Sequence, residues 1–509
     1  MRLRSPYTVL LWAVTCALHA QQAPGIQWDH QFGGTASEAA YTMVQTPDGG
    51  YVVAGSASSD DGDVSGAHGN GDMWVVRLSG AGVIQWQKAL GGTLDEEAHA
   101  MALTSDGGFV LAGLAHSTNG DVSGNQGIRD GWLVKLNEEG IIVWQRTLGG
   151  TQLDEINAVQ QTTDGGYAIA GWTNSQDGDV SGNHGGDDMW VLKLDDLGET
   201  QWQRCLGGVG IDRAYGIRQT PDEGYIVAGE TYSNDGDVVG FHGGQKDMWV
   251  VKLDATGTLQ WQKCLGGAGL DQGRAIQLTT DTGYIVAGAS MSDDGDVSGV
   301  HGSFDLWLIK LDASGGIEWQ KACGGSGSDL ANAVQQTADG GYVMAGITSS
   351  GDGDVNGTIG GGDMWVVRLD GSGNILWQKA MGTDGTDEAK AVLETNDGGY
   401  AVAGIKAPSG AWSNLWVVKL DPWAVGIAQE SVGAFSIAWE KIPGVLRVDA
   451  SGWPKGASLR VQDALGRTIL LRTVVDDVLL IDLHDPSPGV YLLTIRSKEL
   501  MRTARVIVE

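Results

Sequence analysis

Apolar and polar positions alternate along most of this chain in runs of about seven residues, each closed by Gly or Asp-Gly. Residues 91–148 show the pattern. "EEAHAMALTS" alternates small and apolar residues and predicts a strand, and "DGG" predicts a tight hairpin. "FVLAGLA" predicts a second strand, followed by the polar loop "HSTNGDVSGNQGIR". "DGWLVKL" predicts a third strand, "NEEG" a turn and "IIVWQRTLGG" a fourth strand. Four strands joined in sequence by hairpins make one antiparallel sheet. No segment carries a helical period.

The unit recurs. A Trp followed by Gln and a basic residue stands at Trp86, Trp144, Trp202, Trp261, Trp319 and Trp377, and a degenerate copy opens the series at Trp28. Successive spacings are 58, 58, 58, 59, 58 and 58. A second column, in a segment mostly of the form Asp-x-Trp, holds Trp74, Trp132, Trp190, Trp249, Trp307, Trp365 and Trp416. A fixed period of this size means one supersecondary unit stacked or arranged radially. Seven four-stranded units predict an all-β, seven-bladed β-propeller, with an open solenoid as the alternative. First strands such as "EINAVQQT" and "LANAVQQT" are rich in small residues, which suits the strand beside the central axis. Both Trp columns are expected to fill the gaps between blades. The series begins with a lone fourth strand, "GIQWDHQFGG", and ends with a third strand, "LWVVKLD". Residues 25–32 are therefore expected to complete the last blade, which leaves no exposed sheet edge.

Composition narrows the picture. Formal charge is −31, yet residues 424–509 hold 10 acidic and 10 basic residues, so the excess lies in the repeats. Such a field repels nucleic acid and favours cations or cationic partners. The 81 glycines follow no Gly-X-Y period, which excludes a collagen-like chain. Residues 1–20 read as a secretory signal: Arg2 and Arg4, an apolar stretch from Val9 to Leu18, and Ala20 before Gln21. No other segment is long and apolar enough for a membrane span, so a secreted or surface location is expected. Cys205, Cys264 and Cys323 occupy equivalent places in successive repeats and suit small buried side chains better than a disulfide framework.

The long loops concentrate the carboxylates. In the sixth copy Asp352, Asp354, Asn356 and Asp363 stand at positions 1, 3, 5 and 12, with Gly357 at 6. This resembles the EF-hand calcium loop, with Asp in place of the final Glu and without flanking helices. The spacing recurs as Asp61, Asp63, Ser65 and Asp72, and as Asn119, Asp121, Ser123 and Asp130. It recurs again as Asp177, Asp179, Ser181 and Asp188, and as Asp294, Asp296, Ser298 and Asp305. The fourth copy keeps Asp235, Asp237 and Asp247 but has Val239 at position 5 and one inserted residue, and the seventh copy has no such loop. Structural Ca2+ is the expected cofactor, with plain Asp-Gly-Asp turns as the alternative. His68, His184, His242 and His301 lie in these loops, too scattered for a zinc cluster, and read as loop surface. Ten residues after each marker Trp stands an acid: Glu38, Glu96, Asp154, Asp212, Asp271, Asp329 and Asp387. These are expected to ring the channel mouth, either as a cation-attracting rim or as acceptors for loop backbone N–H groups.

Specificity should come from breaks in the symmetry. Trp172, Tyr232, Phe241 and Trp412 are the candidate ligand-binding aromatics, and Arg129, Arg213, Lys246 and Arg274 add scattered positive charge. Aromatics beside polar groups suit an extracellular glycan or protein partner. No Gly-x-Ser-x-Gly, His-Glu-x-x-His or Cys/His pairing points to catalysis.

After Asp421-Pro422 the repeat stops, and short strands such as "LRVDAS", "VLLIDL" and "GVYLLTIRS" predict a small β-sandwich. "SLRVQDALGRTIL", "IDLHDPSPGVYLLTI" and the terminal "RVIVE" resemble the C-terminal sorting domain of the bacterial type IX secretion system. That resemblance implies recognition by the type IX machinery, passage across an outer membrane and a surface or secreted fate. The repeats resemble arrays in secreted Bacteroidota proteins and loosely resemble kelch repeats through "YVVAG" followed by "DMWVV". The expected organisation is a signal peptide (1–20), a propeller (21–423) and a sorting domain (424–509). The expected function is an exported binding or interaction protein. The alternatives are a carbohydrate-active enzyme with its site at the channel mouth, or a structural surface-layer protein.

Overall fold

The computed structural model describes residues 23–422 and, beyond them, seven strands between 436 and 508. The expected signal peptide lies outside the described residues. The chain divides into two compact units between Ala424 and Val425.

The first unit is a ring of seven four-stranded antiparallel sheets. Blade 1 comprises Glu38–Gln45, Tyr51–Ala57, Asp72–Leu78 and Ile84–Leu90. The 58-residue period repeats this order through blade 6, which ends with Ile375–Met381. Blade 7 takes Glu388–Glu394, Tyr400–Lys406 and Asn414–Leu420, and its outer strand is Ile26–Phe32. That strand pairs antiparallel with Asn414–Leu420 and closes the ring, as the phase of the repeat requires. The first strands of neighbouring blades touch one another all round, so they surround the axis.

Both Trp columns bind blade to blade. Each marker Trp packs against the second-strand aromatic of the following blade, from Trp28 on Tyr51 to Trp377 on Tyr400, with ring centroids 5.3–6.3 Å apart. The second column faces the preceding blade. Trp132, for example, sits among Val52, Ala54 and Val75. A fully buried indole removes about 200 Å2 from water, on the order of 5 kcal/mol before entropy is counted. Its N–H still needs an acceptor, and the Gln after the marker Trp supplies one: Trp74 Nε1 donates to Gln87 Oε1 at 2.8 Å. In blade 7 the marker reads Trp28-Asp29, and Asp29 takes the same role for Trp416 Nε1 at 3.2 Å.

The "DGG" side is structural. Asp48, Asp106, Asp164, Asp222, Asp281, Asp339 and Asp397 each cap their own hairpin and each pair with a buried base on the third strand, from Arg77 to Lys419. Cys205, Cys264 and Cys323 are free and buried, and burial pushes their thiols up to about 12.

The second unit has two antiparallel sheets. Ser436–Trp439, Val445–Asp449 and Val478–Asp482 form one, and Thr468–Thr473, Ser458–Asp463, Gly489–Arg496 and Met501–Val508 form the other.

Candidate functional site on the channel wall

Every first strand carries a β-bulge at the same place. In blade 3, Ile156 opposes Gly171 and Ala158 opposes Ala170, so Asn157 faces no residue. The same skip leaves Tyr41, His99, Tyr215, Arg274, Asn332 and Lys390 unopposed in the other blades. A bulge turns its extra side chain out of the ladder. It also explains the Gly of "YVVAG". A β-carbon on Gly171, or on its counterparts in the other blades, would overlap the carbonyl oxygen two residues before the bulge, here Glu155 O.

The bulged side chains meet around the axis. Tyr41 packs edge-on against His99 at 5.7 Å. His99 Nδ1 lies 3.1 Å from Asn157 Oδ1, and Asn157 Nδ2 donates to Ala214 O at 3.0 Å. The Arg274 guanidinium lies 4.4 Å from the Tyr215 ring centre. Asn332 Nδ2 donates to Glu388 and to Ala389 O, both at 2.8 Å. The small residues flanking each bulge pack the strand, as expected. The intervening positions carry long polar side chains, which alternation alone did not reveal.

The wall is uneven around the ring. On blades 2 and 3, His99 stands between Glu97 (3.2 Å) and Glu155 (3.4 Å). Burial works against the imidazolium, but the two carboxylates prevail and its pKa is raised. The hydrogen bond from His99 holds Glu97 below the usual carboxylate range. Glu155 also pairs with Arg129 at 3.1 Å. Arg129 and Arg213 lie over the ring of Trp172 at 5.1 and 4.5 Å. Arg213 is held in turn by Asp187 through Nε at 2.8 Å. On blades 4 and 5, Lys246 bridges Glu230 (2.6 Å) and Gln272 (2.9 Å), Tyr215 donates to Glu230 at 3.1 Å, and Arg274 donates to Gln272 at 3.1 Å. Arg129, Arg213, Lys246 and Arg274, which the sequence shows only as scattered charges, thus form one continuous arc.

The long-loop residues are placed differently from a single cation centre. Position 1 side chains accept backbone N–H groups from the preceding inter-strand loop: Asp61 from Thr35, Asn119 from Thr93, Asp177 from Thr151, Asp235 from Val209, Asp294 from Ala268 and Asp352 from Ser326. Position 3 acids accept from the Gly two residues earlier in that loop. Asp63 takes Gly33, Asp121 takes Gly91, Asp179 takes Gly149, Asp237 takes Gly207, Asp296 takes Gly266 and Asp354 takes Gly324. Ser65, Ser123, Ser181 and Ser298 accept from the fourth-strand Gln that also holds the buried Trp. Gln262 and Gln378 reach the carbonyls of Val239 and Asn356 instead, so a Val at position 5 costs nothing essential. The four positions serve different partners. Among the described residues no group of three or more His, Cys, Asp or Glu is arranged to hold a metal.

Position 12 is buried. Asp72, Asp130, Asp188, Asp247, Asp305 and Asp363 accept a backbone N–H from His68, Gln126, His184, His242, His301 and Ile359, and Asp363 a second, longer one from Gly360. The second oxygen of each has no hydrogen-bond partner. Burial raises the pKa of five of them, to about 6 for Asp130 and Asp188. The column acid of the next blade is a near neighbour: Asp130 and Asp154 both lie within 3 Å of where a β-carbon on Gly149 would sit. His68, His184 and His242 are more than loop surface. Each spans from its own position 12 acid toward the position 3 acid of the next blade.

Two expectations are corrected. The column acids Glu38, Glu96, Asp154, Asp212, Asp271, Asp329 and Asp387 do not rim the channel; they are 0–1% exposed. They bind the turn four residues earlier, as Glu96 does to Gly92 N–H at 2.7 Å and Asp387 to Thr383, which is the acceptor role rather than the cation rim. Trp172 is not an exposed aromatic but is buried between its two guanidinium groups, which come from neighbouring blades and so are invisible in the local sequence. Tyr232 (40%) and Trp412 (66%) are exposed, and Phe241 packs partly on the blade 4 core.

No protein-family model and no curated protein matches the chain. Among solved structures it is similar to PorZ, an essential surface component of the type IX secretion system of Porphyromonas gingivalis (11% identity, TM-score 0.39), covering 95% of this chain and 61% of that one. It is also similar to a protein of unknown function from Dyadobacter fermentans (11%, 0.41, covering 79% and 99%) and to a puromycin hydrolase (10%, 0.42, covering 90% and 59%). At these identities the likeness concerns the fold alone.

Proposed function

We propose that this chain is an exported binding protein whose recognition site is the channel wall of blades 2 to 5. One observation carries the reading. The seven bulged positions share one backbone geometry, but they carry mostly different side chains, while the residues around them repeat. Structural repetition needs no such variety, and bulges recur beside functional sites. Export is supported by the secretory pattern in residues 1–20 and by the C-terminal segments that resemble a type IX sorting domain. Under this reading the propeller is delivered to the cell surface or released from it, and the type IX machinery is its first partner. Among the described residues no helix is long and apolar enough to cross a membrane.

A hydrolase reading rests on Glu97 and Glu155 beside His99. Hydrolysis of a glycoside needs one carboxyl held protonated. The His99 contact instead keeps Glu97 ionised, so the group is better suited to holding a charge than to donating a proton.

The test is capture of glycans and peptides by the mature chain on an array, repeated with His99→Gln plus Tyr215→Phe and, separately, with Trp412→Ala. Loss of capture with the channel variant alone supports the proposal. Loss with Trp412→Ala alone moves recognition to the seventh loop. Calcium is tested in parallel by a thermal melt in EDTA and in millimolar Ca2+. A large upward shift with about five or six bound ions would mean that positions 1, 3, 5 and 12 leave their separate partners and converge.

A further inference from the structure

Resting on the channel wall as the recognition site, we propose that Arg274 forms an anion subsite between blades 4 and 5 that takes the carboxylate of a short acidic sugar. Each other cation of the arc already has an acid: Arg129 has Glu155, Arg213 has Asp187 and Lys246 has Glu230. Among the described residues Arg274 has no carboxylate within ion-pair distance, and its hydrogen bond goes to the neutral Gln272 amide. Its guanidinium lies against Tyr215, which orients the plane, and most of its five donors remain free. Arg274 is also the bulged residue of its strand, so the backbone itself turns it toward the axis. Arg274 is half-buried, and within the arc it is the one cation without an acid.

The surroundings select the rest of the ligand. The Tyr232 phenol, 40% exposed beside the Lys246 ammonium, offers a neutral hydrogen-bonding and stacking group of the kind that meets sugar hydroxyls and ring faces, while the buried Gln272 holds Arg274 and Lys246 in place. A peptide adding as a strand would need an uninterrupted first-strand edge, which the bulge removes. A long polyanion would be repelled by the acidic propeller, so the fitting ligand is short and carries one carboxylate.

The experiment titrates the mature chain by calorimetry with glucuronic acid and a glucuronate-terminated disaccharide. The neutral glucose counterparts, acetate and an N-acetylated amino acid serve as comparison probes. Arg274→Gln, Arg274→Lys and, on the opposite arc, Lys390→Ala are run alongside, each checked for an unchanged melt. The expected result is that the glucuronate disaccharide binds at least about tenfold more tightly than its neutral counterpart. Arg274→Gln abolishes that preference, Arg274→Lys keeps part of it, and Lys390→Ala leaves it intact. Equal affinity for neutral and acidic sugars, or tighter binding of the N-acetylated amino acid, would overturn the sugar-carboxylate subsite while leaving the channel as the site. Acidic-sugar binding that ignores Arg274→Gln but is lost with the His99→Gln plus Tyr215→Phe variant would do the same. No binding by any probe, together with array capture that ignores the channel variant, would overturn both readings.

Discussion

The blade junctions under the long loops and the channel wall are built from the same strands, three residues apart, and obey opposite rules. Asp154 and Asn157 illustrate this. Asp154 is fully buried, bound to Gly150 N–H and Ser175 Oγ, and has an acidic counterpart in every blade. Asn157 sits on the bulge, half-buried, and in the other blades its place is taken by four other residue types and once more by Asn. Where a side chain completes a backbone hydrogen-bond network, repetition fixes it. Where it faces the axis, no backbone partner recurs in every blade and chemistry is free to vary.

That contrast breaks most sharply at the glycine behind the bulge. Gly171→Ala sets a β-carbon against Glu155 O and should cost on the order of 3 kcal/mol or more, read as a lower melting temperature or loss of soluble protein. Next in size is Gln203→Ala. It leaves the Trp190 indole N–H buried without its acceptor at 3.0 Å and frees Ser181, for about 2 kcal/mol in a denaturant melt. Gln203→Glu, which keeps the acceptor, should cost less.

The junction acids give the pH dependence, and two sets of carboxylates act in opposite senses. Asp130 and Asp188 are raised by burial to about 6. The unfolded chain ionises them first as pH rises, so their effect lowers stability between about pH 4 and 6. At Asp106, Asp164, Asp222 and Asp281 burial is outweighed by Thr hydroxyls and Lys ammonium groups, and they sit at about 2. Their contribution is present above about pH 4 and is lost as pH falls toward 2. Melting temperature should therefore peak in mildly acid solution, near pH 4 to 5. Asp188→Asn keeps an oxygen for His184 N–H and copies Asn414, the residue blade 7 already uses there. It should gain about 1–2 kcal/mol at pH 7 and flatten the decline between pH 4 and 6. A melt that rises steadily from pH 4 to 7 would contradict this account.

The smallest effect belongs to the wall. Lys390→Ala should move stability by no more than about 0.5 kcal/mol, because its partner Glu388 is itself accessible and is also held by Asn332. A larger loss would mean that the wall is structural after all.

How much of this is legible in the sequence follows the same division. The Trp spacing, the phase of the series and the Trp28-Asp29 variant foretell seven blades and their closure, because packing repeats whatever it needs. The bulge escapes notice because one unopposed residue leaves the alternation on either side looking intact. Its trace is present in hindsight: an invariant Ala-Gly on each second strand, facing a first strand in which the residue three places after Glu38 and its counterparts is Tyr, His, Asn, Tyr, Arg, Asn and Lys in turn. The loop spacing that suggests calcium is real, and the same side chains also take hydrogen bonds from three different segments. The stacking of Trp172 could not be read at all, since Arg129 and Arg213 reach it from separate blades.

The outer strand of blade 7 has a consequence for how the ring comes into being. Ile26–Phe32 is synthesised before any complete blade, yet its only ladder partner, Asn414–Leu420, is made after six others. During synthesis the early strand must wait for its partner, and until then the array keeps an unsatisfied edge at each end. Closing it is a long-range loop closure, the slow and entropically expensive kind of step. The ring therefore has a lock that cannot engage until both of its halves have been made.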